Sequence, residues 1–112
     1  MSVTAKVLIA AKAAENAQTT QYTAGTGVRT IIDKFTATNY SAGSETLSIH
    51  LVTSGGSAGD TNIVIKTKSL AANETYTFPE VVGHVLDAGG FISTIASAAT
   101  SITIRASGRE VN

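Results

Sequence analysis

The stretch Glu45-Thr-Leu-Ser-Ile-His-Leu-Val-Thr53 decides how the chain is read. Leu47, Ile49 and Leu51 occupy every second position, with Thr46, Ser48, His50 and Val52 between them. Strand side chains alternate faces with a period of two, so this segment reads as a strand with one face in a core and the other mostly wet. Similar short segments lie on both sides, separated by Gly, Ser, Asn and Thr. Strands at this spacing, about seven or eight of them, are the pattern of an all-β, single-domain antiparallel β-sandwich, either jelly-roll or Ig-like. Residues 1–17 are expected to form an N-terminal extended arm, part of the same domain or paired with a neighbour, and residues 18–112 the sandwich.

Upstream of the deciding stretch, Val3, Ala5, Val7, Ile9 and Ala11 alternate with Thr4, Lys6, Leu8, Ala10 and Lys12. Ala, Leu, Lys and Glu also suit a helix over Ala5 to Ala17, but the alternation favours an extended strand. Thr19 to Ala24 is Thr-rich and reads as a strand, and Gly25-Thr-Gly27 as a turn. In Arg29 to Asn39, Ile31, Phe35 and Ala37 share a face with Asp33, while Ile32 faces the other way. Either Asp33 is paired at a sheet edge or a bulge shifts the register. Ser41-Ala-Gly-Ser44 is expected to close a hairpin into the Glu45 strand.

Downstream, Thr53 to Asp60 is a flexible-looking loop. Asn62 to Leu70 reads as a strand with Ile63 and Ile65 on one face and Lys66, Lys68 and Leu70 on the other. Thr75 to Phe78 is a strand ended by Pro79, which lacks an amide donor. Glu80 to Leu86 is expected to form one helical turn. Phe91 to Ala96 and Ser101 to Ala106 complete the strands, and Gly108 to Asn112 ends the chain.

A chain of 112 residues is one domain with room for one core. It has no Cys, which excludes disulfides and thiolate metal sites. Formal net charge is zero and charged residues are 14% of the chain, against about 25% in an average soluble domain. No Lys/Arg cluster suggests nucleic acid, and no apolar run is long enough for a transmembrane helix. The Val7 to Ala11 run is interrupted at Lys12 and is not expected to be a secretion signal. Without such a signal, the sequons at Asn39 and Asn73 read as chance. A surface so poor in charge resists contact between copies only weakly, which suits a protein that works in an assembly.

No motif places a reactive group. His50 and His84 lie far apart, and neither belongs to a metal-ligand motif. No Ser occupies a Gly-x-Ser-x-Gly elbow, and nothing places a histidine beside Asp33 or Asp87. Gly25-Thr-Gly27 and the Gly55 to Gly59 loop lack phosphate-loop endings. Asp60 and Asn62 supply too few oxygens for calcium. The aromatics Tyr22, Tyr40, Tyr76, Phe35, Phe78 and Phe91 are needed for the core before any sugar platform. The expectation is a non-enzymatic protein with no catalytic, cofactor-binding or metal residue.

The ordered series Tyr22-Thr-Ala, Arg29-Thr-Ile-Ile-Asp33, Thr36-Ala-Thr-Asn39, Ile49-His-Leu-Val-Thr-Ser-Gly-Gly-Ser-Ala-Gly59, Ser69-Leu-Ala-Ala-Asn-Glu-Thr-Tyr76, Val85-Leu-Asp-Ala-Gly-Gly-Phe-Ile92 and Ala106-Ser-Gly-Arg-Glu110 resembles small β-sandwich virion proteins encoded by tailed bacteriophages. One departure is Gly90, where that group is expected to carry Asp or Glu. The resemblance implies a virion structural component, foremost a capsid decoration or cement protein bridging capsid subunits. A tail or neck piece and a glycan- or receptor-binding module on the virion surface are the alternatives. It implies homo-oligomers and contact with the major capsid protein or other virion proteins, with no nucleic acid and no membrane. Its expected location is the virion, assembled in the bacterial host cytoplasm.

Overall fold

A computed structural model describes residues 2–112. Among them are nine strands and no helix: β1 Val3–Ala13, β2 Thr19–Thr23, β3 Arg29–Asn39, β4 Glu45–Val52, β5 Ile63–Leu70, β6 Thr75–Thr77, β7 Val85–Leu86, β8 Phe91–Ala96 and β9 Ile102–Val111. They form two antiparallel sheets. One has the order β1-β9-β3-β6, with β7 also on β3, and the other β2-β8-β4-β5.

The pairing has a simple logic. The first strand pairs with the last, β2 with β8, β3 with β6 and β7, and β4 with β5. The chain is thus one long double ribbon with its tip at the β4–β5 loop. Rolling the ribbon up sets β9 against β3 and β8 against β4, so the two sheets face each other. With β6 and β7 counted as one interrupted strand, this is the eight-strand wind of a jelly roll. The extended reading of residues 3–13 holds, and β1 is an edge strand lying on β9 of its own chain.

The core follows from the alternation. Ile32, Phe35, Ala37, Ile102, Ile104 and Ala106 of one sheet pack on Leu47, Ile49, Ile65, Leu70, Ile92 and Ala96 of the other. Phe78 closes one side, edge-on to Phe35 with ring centres 5.6 Å apart and to Tyr76 at 4.8 Å. Such T-shaped pairs set the positive ring edge against a negative face.

Of the two alternatives for Asp33, the molecule has the bulge: Asp33 is the extra residue between Ile32 and Lys34, so Ile32 is buried where the simple period puts Ile31. Three expectations are corrected. Ser41 to Ser44 closes no hairpin, because β3 and β4 belong to opposite sheets and the segment crosses between them. Residues 80–86 form no helix: backbone bonds from Val81 to Phe78 and from Val82 to Pro79 make a turn, and β7 follows. The final strand continues through Gly108 to Val111 rather than stopping at Ala106.

A further shift lies in β5. Leu47 faces Lys68 and Ile49 faces Ile65, so Lys66 and Thr67 are looped out of the ladder. Leu70 therefore returns to the core side and is fully buried. Thr67 takes φ 47° there, and its amide donates to Ser48 Oγ at 2.8 Å. The second face of β4 is consequently not wet: Ser48, His50 and Val52 are all buried.

Candidate functional site

His50 and Ser93 face each other across β4 and β8 on the outer side of the smaller sheet. Gln18, just before β2, reaches over both. Its Nε2 lies 3.3 Å from His50 Nδ1 and donates to Ser93 Oγ at 2.8 Å. Ser93 Oγ in turn donates to the Thr19 carbonyl at 3.2 Å. Burial holds the His50 pKa below its ordinary value, against a weaker opposing pull from Asp60. The His50 Nδ1 is turned to the Gln18 amide nitrogen. A serine nucleophile needs a histidine that takes its proton. Here the Gln18 amide serves both side chains, and the Ser93 proton points to a carbonyl.

His84 sits elsewhere, exposed in the turn before β7, where its carbonyl accepts from the Ile32 amide at 3.0 Å. It lines a cleft of about 360 Å³ at one end of the sandwich with Leu51, Ser54, Asn62 and Asp87. Among the described residues, no Phe, Tyr or Trp lines that cleft. Asp87 pairs with Arg29 at 3.2 Å, and both are largely exposed. Asn62 is a turn residue whose side chain accepts from the Gly59 amide and donates to the Ser57 carbonyl. Among the described residues, no three of His, Cys, Asp and Glu gather as a metal site would need. Gly25 to Gly27 is a turn, with Gly27 at φ 72°.

Asp33 is held by Arg109, which donates through Nε and Nη2 at 2.9 Å each. That fork keeps the Asp33 carboxyl below the usual carboxylate range. The two sequons differ. Asn39 is fully buried with its amide nitrogen donating to the carbonyls of Gly43 and Leu70, whereas Asn73 lies exposed in a turn at φ 65°.

One polar cluster has no local sequence signal, because Tyr22 and Glu110 at its centre are 88 residues apart. Tyr22 of β2 crosses the gap between the sheets, and its hydroxyl meets Glu110 and Thr30. Lys6 approaches the same carboxylate at 3.3 Å. The cluster ties the two layers together.

The outer face of the larger sheet is the broadest feature. Its rows set Thr36 between Thr77 and Arg105, and Thr38 between Thr75 and Thr103. Thr38 and Thr75 share a hydrogen bond of 2.9 Å. At the sheet's border, β1 leaves one edge unpaired, with Val3 57% and Val7 46% exposed. This arrangement offers hydroxyls, a strand edge and aliphatic side chains to another surface.

No protein-family model and no curated protein matches the chain. Among solved structures, it is similar to a chain in the structure of infectious bursal disease virus Gx strain, at 15% identity and TM-score 0.49. The alignment covers 97% of this chain and 32% of that one, so this chain spans about a third of that protein's length. A likeness at that level is no basis for a shared function.

Proposed function

We propose that the chain is a non-enzymatic structural component of a virion, foremost a capsid decoration or cement protein of a tailed bacteriophage. The observation that carries this reading is a jelly-roll block whose broad outer sheet face presents threonines around Lys34 and Arg105, on a chain of zero formal net charge. Jelly rolls serve in viral capsid and lectin domains, and a fold by itself does not select among roles. The resemblance of the turn and strand-end series to phage virion proteins supports the first. Hydroxyl-rich faces and strand edges are joining surfaces, and near-zero net charge does not oppose their contact.

The mechanism is added buried area across the seams between capsid subunits. A standard interface buries about 1,600 Å². Repeated over a shell, even smaller contacts raise the load that the shell bears before it opens. The test is quantitative mass spectrometry of gradient-purified particles. Hundreds of copies beside the major capsid protein support the decoration role. A handful would move the protein to the tail or neck and overturn it.

A further inference from the structure

We propose that the Val3–Val7 edge of β1 pairs with the same edge of a second copy, antiparallel and about a two-fold axis through Ala5. The inference deepens the tiling reading above and rests on it for its biological purpose. Its geometry comes from the hydrogen-bond parity of β1. Ser2 and Asn112 exchange both backbone bonds, at 2.8 and 3.0 Å. In an antiparallel pair such residues alternate with residues whose amide and carbonyl point away. Thr4 and Lys6, facing Glu110 and Gly108, therefore turn their backbone groups inward to β9. Val3, Ala5 and Val7 turn theirs outward, where none of the strands of the described residues lies.

This edge is self-complementary. With Ala5 opposite Ala5 of the second copy, Val3 falls opposite Val7 and Thr4 opposite Lys6. Each outward pair exchanges both its backbone bonds, and the valines of the two copies meet on one face as cross-strand neighbours. Edge strands are commonly blunted by bulges or by free charges. In β1 the register shifts begin only beyond Val7. The one charge within the segment, Lys6, projects to the opposite face from Val3 and Val7 and is neutralised by Glu110. The resulting interface is isologous, as in most two-fold pairs.

The contact is also small. Five residues of strand extend only about 17 Å, and one such strand pairing buries far less than the roughly 1,200 Å² of stable interfaces. Pairing is therefore weak between free molecules and strong where many copies are held side by side.

The natural chain has no cysteine, so single-cysteine variants test the register directly. Ala5→Cys is expected to form a disulfide dimer on mild oxidation at high protein concentration, since facing residues of such a pair lie about 5.5 Å apart. Val3→Cys mixed with Val7→Cys is expected to cross-link, while each alone stays monomeric, because identical positions would lie about 14 Å apart. Ala10→Cys, exposed beyond the first register shift, sets the rate of chance collision. Ala5→Pro, whose missing amide faces outward, is expected to keep the fold and lose self-association in sedimentation. Cross-linking of Ala5→Cys no faster than the Ala10→Cys control overturns the pairing, as does its capture only by a different virion protein. If particles carry hundreds of copies and Ala5→Cys does not cross-link, self-pairing alone is wrong. If it cross-links and particles lack the protein, the pairing stands and the tiling role falls.

Discussion

Asn39 shows how much one side chain holds. Its Nδ2 donates to the carbonyls of Gly43 and Leu70, and its Oδ1 accepts from the amide and hydroxyl of Ser41. These bonds fasten the end of β3 to the crossover and to β5. Asn39→Ala is expected to lower stability by about 2–3 kcal/mol in urea unfolding, the penalty of stranding buried partners. Asn39→Asp is expected to be at least as damaging, because it sets acceptors against two carbonyls. Tyr22 gives the second residue-scale test. Burial, then its bond to Glu110, pushes the phenol pKa up to about 12 from 10.0. Glu110 is lowered in turn, chiefly by the Tyr22 hydroxyl and then by Lys6. A raised pKa in the folded state stabilises fully below the unfolded value and is lost as pH rises through the folded one. The Tyr22 contribution is thus present below pH 10.0 and disappears towards about 12. The Glu110 contribution is present above its unfolded value and is lost as the pH falls through its lowered folded one. Tyr22→Phe is expected to be less stable at pH 7 by about 1–2 kcal/mol. In thermal melts against pH, the gap between the variant and the natural chain is expected to close at both extremes.

At the scale of elements, the junction of β3 and β9 turns on Gly108. It faces Ile32 beside the Asp33 bulge, and a Cβ there would overlap the Ile31 carbonyl and touch Leu8. Gly108→Ala is expected to destabilise by about 1–3 kcal/mol, whereas Gly43→Ala, with open space around it, serves as a near-neutral control in the same urea titration. The bulge also marks where the sequence stops being legible. The bounds of β3 and β4 and the turn at Gly25 to Gly27 follow from alternation and glycine chemistry. Asp33 inside an apolar period announced a bulge or an edge pair, and the molecule has the bulge together with the Arg109 fork. Nothing local announced the looped-out Lys66 and Thr67, because a Lys at either register can reach solvent. Ser41-Ala-Gly-Ser44 suits a hairpin and a crossover equally, and only long-range packing chooses between them. Tyr22 and Glu110 could not be joined from sequence at all, for the same reason.

At the scale of the whole molecule, the rolled ribbon puts the first and last strands side by side on the larger sheet and leaves β1 at its border. The reactive-looking residues are scattered by the same wind, with His50 on the outer side of the smaller sheet and His84 at one end. Replacing both with Gln is expected to leave incorporation into particles unchanged, measured by the ratio of this protein to major capsid protein. The central claim is that the block works by position and number rather than by chemistry. Counting copies per purified particle tests that claim most directly. Hundreds of copies, at a fixed ratio to the major capsid protein, are the result expected, and particles that carry none would contradict it.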